Sequence, residues 1–280
     1  MLGCYGGSAE TPNLDALAAE GVRFDFAHAH AVMTLPSHAS ILSGLYPHQH
    51  GVRDNIGFRV APGTVTAATL LKSAGYSTAA FIAGYPLDSQ FGLDRGFDLY
   101  DDRLDDVGQT SEFVLAERKA DAVVRSAVAW LGERRSRWFA WVHVFDPHAP
   151  YAPPEPYATR YRTNPYAGEV AFVDGALGPL LDKVRAAADR PTLVIVTGDH
   201  GEGLGDHGEQ SHGLFAYEAT LRIPLLVAQV GGPARTGKQG GAGRISPVPV
   251  QHVDILPTIL DGLGLPALSA SRGESLLGEI

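Results

Sequence analysis

Residues 192–202 (TLVIVTGDHGE) decide the fold class of this chain. An apolar run of strand length ends in a polar turn that holds Gly198, Asp199 and His200. A carboxylate beside an imidazole at the end of a buried strand is a frequent arrangement for binding a divalent metal. Further acidic and histidine residues follow closely: Asp206, His207 and His212. A solvated turn is the alternative, but the purely apolar strand before it favours a metal site.

The rest of the chain alternates short apolar runs with helical patterns. Strands are predicted at residues 78–83, 138–144, 192–197 and 224–230. Helices are predicted at residues 36–43, 65–73, 115–132, 167–188 and 252–264, and an early helix has Thr11 as its N-cap and Pro12 as its first residue. This alternation predicts an α/β fold with a mostly parallel sheet and helices on both faces. Residues 98–106, 148–165 and 231–243 are predicted loops, and the second follows a strand directly, where α/β sheets place ligand sites.

Composition excludes several classes of protein. The 280 residues are 45% hydrophobic and 19% charged, which is enough apolar material for a globular core. The formal net charge of −9 argues against a nucleic-acid footprint. Neither a bilayer-spanning run nor a signal-peptide pattern is found in the sequence as given. Cys4 is the only cysteine, so no internal disulfide or cysteine metal cluster is expected.

A second group of polar residues lies at 34–40 (TLPSHAS). Pro36 fits the first position of a helix, which would leave Thr34 just outside the helix N-terminus. Free N–H groups and the positive end of the helix dipole make that place suitable for an anionic oxyester. The alternative is that Thr34 only caps the helix.

A third group follows the predicted strand at 138–144. Asp146 and His148 offer an oxygen and a nitrogen ligand, whereas His143 lies inside the apolar run and is expected to be a core histidine. Residues 203–208 (GLGDHG) match the dinucleotide-binding pattern, but no amphipathic helix begins there, and this interpretation is rejected. The chain lacks the G-x-S-x-G pattern of serine hydrolases.

Taken together, the motifs resemble the sulfatase-type branch of the alkaline phosphatase superfamily. The matching stretches, in family order, are residues 2–6 (LGCYG), 11–15 (TPNLD), 35–37 (LPS), 44–51 (GLYPHQHG), 95–98 (RGFD), 146–151 (DPHAPY), 199–202 (DHGE) and 253–258 (VDILPT). The resemblance implies an α/β/α sandwich and a metal-bound nucleophile that attacks an ester and forms a covalent intermediate. In sulfatases the nucleophile is formylglycine, made from Cys or Ser. Thr34 stands at that position, cannot give the same aldehyde, and matches the phosphodiesterase members that use Thr directly.

The resemblance also assigns roles to other residues. Asp199 and His200 would bind the divalent metal (Zn, Mn or Ca) that holds Thr34, and Asn55 would donate to a substrate oxygen unless it is only a turn residue. Asp146, His148 and His212 would form a second metal site or contact the substrate anion. His38 and His212 replace an Arg and a Lys of many sulfatases, which favours phosphoric diesters or phosphonates over sulfuric esters. The expected partner is therefore a small anionic ester.

The sequence departs from the family at both ends. One domain, 1–280, is expected, lacking the first strand with its metal-binding Asp and the small C-terminal sheet. Weakened metal binding would follow. The alternatives to the phosphoester hydrolase are a sulfuric-ester hydrolase in which Thr34 works without formylglycine and a non-catalytic remnant. A related transferase interpretation also uses Thr, but such relatives usually have membrane helices. Localisation is expected to be cytoplasmic by default, with any signal peptide lying upstream of the given start.

Overall fold

The computed structural model describes residues 1–104, 116–134, 136–187, 190–232 and 243–280. The strands are β1 (Val22–His28), β2 (Ser77–Phe81), β3 (Leu99–Asp101), β4 (Trp138–Val142), β5 (Pro191–Thr197), β6 (Arg222–Gly231), β7 (Arg244–Ser246) and β8 (Val250–Gln251). The α-helices are α1 (Pro12–Glu20), α2 (Thr34–Ser43), α3 (Pro47–His50), α4 (Ala67–Ser73), α5 (Ala120–Gly132), α6 (Tyr157–Arg160), α7 (Pro165–Arg185), α8 (Glu218–Leu221) and α9 (Ile255–Gly262).

The strands form two sheets. The larger has the order β5-β6-β1-β7, with β8 pairing with β1 farther along that strand. In it β6 is antiparallel to both neighbours, while β7 and β8 run parallel to β1. The smaller sheet has the order β3-β2-β4 and is wholly parallel. Parallel pairs therefore predominate, and the α/β class predicted from the sequence is confirmed.

A cleft separates the two sheets between β4 and β5. Its volume is about 980 Å³, and side chains of both strands line it together with Met1 and Leu2. Within the described residues, β4 pairs only with β2 and β5 only with β6. One backbone edge of each strand therefore lacks a ladder partner there, and both strands are only half-buried. One end of the cleft reaches Asp199, His200 and Glu202.

Helices cover the sheets because their apolar faces need burial. Helices α1 and α7 pack together on the larger sheet through Leu14, Leu17, Leu181 and the β6 residue Leu226. Their junction is held by the buried Asp174 carboxylate, which accepts hydrogen bonds from the first backbone amides of α1. Helices α2 and α9 share another apolar cluster with β2. This packing holds the amino end of α2 and the carboxyl end of β5 in place.

The strongly apolar elements agree with the sequence predictions, and the polar or short ones were missed. The strand β1 was overlooked because Arg23 and Asp25 alternate with buried residues, so it is not a continuous apolar run. The short strand β3 lies inside the predicted loop 98–106, and α6 lies inside the predicted loop 148–165. Some predicted elements extend outside the described residues: these are residue 115 of one predicted helix, residue 188 of another, and parts of the predicted loops at 98–106 and 231–243.

Candidate active site

The amino end of α2 carries the candidate nucleophile. The helix begins at Thr34, with Met33 as its N-cap, so Pro36 is the third helical residue and not the first as predicted. Thr34 is therefore not the capping residue, and its side chain lies within the first turn. The residue is 3% exposed. The N-cap makes no side-chain bond, so the first amides of α2 depend on other partners.

Asn55 supplies one of those partners. Its Oδ1 accepts a hydrogen bond from the backbone N–H of Leu35 at 2.8 Å. This bond fixes which way the amide faces, because only the oxygen can accept from an N–H group. Asn55 thus provides an acceptor for the helix terminus next to Thr34, and the NH₂ group of the same amide is a hydrogen-bond donor.

Asp199 follows the carboxyl end of β5 and faces the same helix turn. Its Oδ2 lies 3.7 Å from Nδ1 of His38 and 3.5 Å from Nε2 of His200. Burial opposes ionisation of Asp199, but the surrounding imidazoles, with His200 and His38 first, hold the pKa of its carboxyl well below the usual range. The same His38 nitrogen donates to the Thr34 carbonyl at 2.9 Å. The His38 ring therefore lies between the start of α2 and the Asp199 carboxylate.

His200 and Asp199 fit two coordination positions of a divalent cation. Nδ1 of His200 donates to the Gly201 carbonyl at 2.8 Å, which leaves Nε2 as the ring nitrogen whose lone pair could bind a cation. That lone pair lies beside the Asp199 carboxylate, and two electron-pair donors at such a distance favour a cation between them. Among the described residues, no group of three or more His, Cys, Asp or Glu side chains is placed to hold a metal ion. Asp199 and His200 are therefore two candidate ligands, and their role in metal binding stays a prediction.

A row of histidines extends the site from His200. The ring centroids of His200 and His212 are 4.1 Å apart, and those of His212 and His148 are 5.3 Å apart. Nδ1 of His212 lies 3.1 Å from Oε1 of the buried Glu202. Burial opposes the ionised form of Glu202, but the hydrogen bond from His212 lowers the pKa of this carboxyl. The structure therefore brings His200, His212 and His148 together, as the sequence suggested.

Asp146 has other partners. Its Oδ1 lies 2.8 Å from Nζ of Lys119, and its Oδ2 accepts from the first backbone amide of α5 at 3.1 Å. The carboxylate thus forms an ion pair with Lys119 and accepts a hydrogen bond at the amino end of α5. Its predicted role as a metal ligand stays a prediction.

Two residues of the polar turn lie apart from the site. Asp206 and His207 form an exposed pair at 3.0 Å, and the His207 ring stacks on Tyr217.

His143 is buried, and its Nδ1 accepts from the Ala83 amide at 3.4 Å, as expected of a core histidine. Burial lowers the pKa of His143 to about 3.

Three neighbours of the site were missed in the sequence. Nε2 of the fully buried His252 donates to the Gly198 carbonyl at 2.9 Å, next to Asp199. Glu202 was quoted only as part of a motif, and Lys119 lies inside the helix predicted at 115–132 and was given no role. Because these contacts join residues far apart in the chain, spacing alone could not reveal them.

Comparison with known proteins gives the family. The sequence model of the Sulfatase family matches residues 1–265, so the chain belongs to this family of ester hydrolases. The uncharacterized sulfatase YidJ of Escherichia coli (strain K12) is 27% identical over 349 residues, covering 99% of this chain and 68% of that protein. The multifunctional alkaline phosphatase superfamily protein PehA of Trinickia caryophylli is 37% identical over 116 residues, 40% of this chain and 21% of that protein.

The fold is shared with solved members of the superfamily. The crystal structure of the phosphonate monoester hydrolase of Agrobacterium radiobacter matches with a TM-score of 0.78 at 22% identity, covering 99% of this chain and 73% of that chain. The resemblance inferred from the motifs is thereby confirmed. In the described part of the chain, no helix has both the length and the apolar character to cross a membrane.

Proposed function

We propose that this protein hydrolyses a phosphoric diester or phosphonate ester with Thr34 as the nucleophile. One observation carries the proposal: the first turn of α2 is bounded by the Asn55 amide and, through His38, by the Asp199 carboxylate. The Thr34 hydroxyl, the Asn55 amide and the Asp199 carboxylate are thus all linked to the amino end of one helix, a place that favours an anion.

The chemistry has two steps. Oγ of Thr34 forms a bond to phosphorus while the bond from phosphorus to the leaving alcohol breaks, and the hydroxyl proton ends on that alcohol. Water then bonds to phosphorus, the bond to Oγ breaks, and Thr34 regains a proton. Charge on the transferring group is stabilised by N–H donors, which the amino end of α2 and the Asn55 amide supply.

Asp199 and His200 would hold the divalent cation that this superfamily uses. Such a cation would supply a Lewis acid beside the ester anion. His212, held by Glu202, and His148 beside it would contact the substrate oxygens. Asp146 would keep the loop that carries His148 close to α5.

Phosphorus is preferred over sulfur for two reasons. Thr34 cannot become the formylglycine of sulfatases, and neutral His38 replaces an arginine of the sulfatase pattern, since burial lowers its pKa. The relative PehA is described as a multifunctional alkaline phosphatase superfamily protein, which supports a wider substrate range than sulfate.

A substrate panel tests the proposal. Bis-p-nitrophenyl phosphate, p-nitrophenyl phenylphosphonate and p-nitrophenyl sulfate would be compared, with Zn²⁺, Mn²⁺ or Ca²⁺ added. Turnover of the phosphorus esters that is lost in Thr34→Ala and kept in the exposed control Thr163→Ala would support the proposal. Faster turnover of the sulfate ester would contradict the choice of phosphorus.

A non-catalytic role is the second candidate. It is favoured by the incomplete set of metal-binding side chains among the described residues. No turnover of any ester, together with binding of phenylphosphonate that Asn55→Ala abolishes, would support this role.

A further inference from the structure

A buried carboxylate on α7 holds the loop that carries His148. Residues 143–156, all of them described, form no helix or strand, so their backbone amides depend on other partners. Oε2 of Glu169 accepts a hydrogen bond from the His148 amide at 3.0 Å, and Oε1 accepts one from the Ala152 amide at 2.8 Å. Glu169 is 1% exposed and lies within the 21 residues of α7. One side chain of a long helix therefore binds this loop at two points.

The first of these points is the residue whose ring borders the candidate site. The His148 ring stacks on Phe145 with the centroids 4.1 Å apart, and the centroid of the His212 ring is 5.3 Å away. Nδ1 of His148 donates to the Ala149 carbonyl at 2.8 Å, which leaves Nε2 as the nitrogen that could contact a substrate oxygen. Because the ring moves with its own backbone, a displaced His148 amide would carry the ring away from Phe145 and His212.

A carboxylate at this position carries a cost that a neutral side chain would avoid. Burial raises the pKa of Glu169 to about 7, although the hydrogen bonds from the two loop amides act in the opposite direction. A glutamine has nearly the same shape, but its NH₂ group cannot accept from an amide, so a single oxygen would have to serve both donors. What the acid adds is therefore the second acceptor, and with it a fixed position for the loop.

We propose that Glu169 is a positioning residue of the candidate site, which sets the place of the His148 ring by binding the loop backbone at His148 and Ala152. This inference rests on the proposed function, in which His148 contacts the substrate oxygens. The other carboxylate of this loop, Asp146, binds Lys119 and the amino end of α5, and so acts ahead of His148. Glu169 is the partner of the His148 amide itself.

Two matched variants test the proposal at a pH of about 8.5, where the Glu169 carboxylate is ionised. Glu169→Gln removes one acceptor oxygen and changes the volume of the side chain little. Asp174→Asn is the control, because Asp174 is a second α7 carboxylate that is 1% exposed and accepts backbone hydrogen bonds, but its donors Asn13 and Leu14 belong to α1. Glu169→Asp, whose side chain is one methylene shorter, replaces Glu169→Gln if that variant fails to fold.

The first readout needs no turnover. The imidazole signals of His148, assigned by their absence from His148→Ala, are recorded by NMR, since stacking on Phe145 shifts them from the values of an unfolded chain. We expect Glu169→Gln to move these signals toward the unfolded values and Asp174→Asn to leave them in place. Unmoved signals in Glu169→Gln, or an equal movement in both variants, would overturn the inference.

The second readout is the energetic coupling of Glu169 to His148. With bis-p-nitrophenyl phosphate as substrate, kcat/KM should fall by about tenfold or more in Glu169→Gln. In a protein that already carries His148→Ala, the same substitution should cost less than about twofold, because the effects of residues that act through one another are not additive. An equal loss in both backgrounds is the result of general destabilisation and would contradict a positioning role.

The two readouts separate this inference from the proposed function. No turnover of any ester by the wild type, together with moved His148 signals in Glu169→Gln, would refute the proposed function and support the hold of Glu169 on the ring. Turnover by the wild type with unmoved signals in Glu169→Gln would refute this inference and leave the proposed function intact.

Discussion

Asn55 and Leu35 are joined by a 2.8 Å hydrogen bond from the backbone amide to the side-chain oxygen. The bond gives one amide of the first α2 turn an acceptor and commits the Asn55 oxygen, so that the NH₂ group is the part of this amide that could donate to a substrate. Two roles proposed for Asn55, a local structural one and a substrate contact, are thus compatible in one side chain.

Substitution separates the two roles of Asn55. Asn55→Asp keeps the acceptor for Leu35 and removes the NH₂ donor, so kcat/KM for a phosphodiester should fall by about 100-fold or more, with the thermal stability kept. Asn55→Ala removes both, and we expect an additional stability loss of about 1 kcal/mol. If Asn55 were only a cap, Asn55→Asp would retain the wild-type rate.

The Lys119–Asp146 pair is expected to be structural. Lys119→Met leaves the buried Asp146 carboxylate with one backbone donor, which should lower the free energy of unfolding by about 1–3 kcal/mol, a value reduced because Lys119 is partly exposed. Asp146→Asn should likewise lower stability and leave the amount of bound divalent metal unchanged. Loss of bound metal in Asp146→Asn, measured by elemental analysis, would instead make Asp146 a ligand.

Acid should destabilise the fold through its buried histidines. Burial lowers the pKa of His50 to about 4 and that of His252 to about 3, so both stay neutral in the folded chain while the unfolded chain takes up protons below about pH 6.5. Stability is therefore full above pH 6.5 and falls as the pH drops toward these values. Each such histidine contributes at most about 1.4 kcal/mol per pH unit.

One histidine provides the test. Nδ1 of His50 accepts from the Val52 amide at 3.1 Å, a bond that protonation at this nitrogen would remove. The free energy of unfolding of His50→Asn would be measured by denaturant titration between pH 4 and pH 6.5. Its slope against pH should be smaller than that of the wild type by the equivalent of about one proton. The exposed His48→Asn is the matched control for the loss of an imidazole, and a pH dependence of stability in His50→Asn equal to that of the wild type would refute the explanation.

The elements that could be predicted from the sequence are those whose buried residues form a continuous apolar run. Strand β5 was found because both its faces are apolar, whereas β1, with Arg23 between buried residues, was missed. The antiparallel placement of β6 could not be foreseen, since strand direction depends on the path of the chain and not on the strand itself.

The candidate site was predicted in a similar way. Thr34, Asp199 and His200 were found because each lies at the end of a regular element, where ligands bind. The start of α2 was misplaced because Pro36 is also acceptable as the third helical residue. His252 and Lys119 were missed because only the folded chain brings them to Gly198 and Asp146.

The identity of the nucleophile is the central claim, and trapping the covalent intermediate tests it most directly. The protein would be mixed with excess bis-p-nitrophenyl phosphate and a divalent metal, quenched in acid within milliseconds to seconds, and digested for mass spectrometry. We predict a phosphoryl adduct on Thr34 that is absent in Thr34→Ala, together with loss of turnover in that variant. An adduct on another residue, or full turnover by Thr34→Ala, would contradict the account.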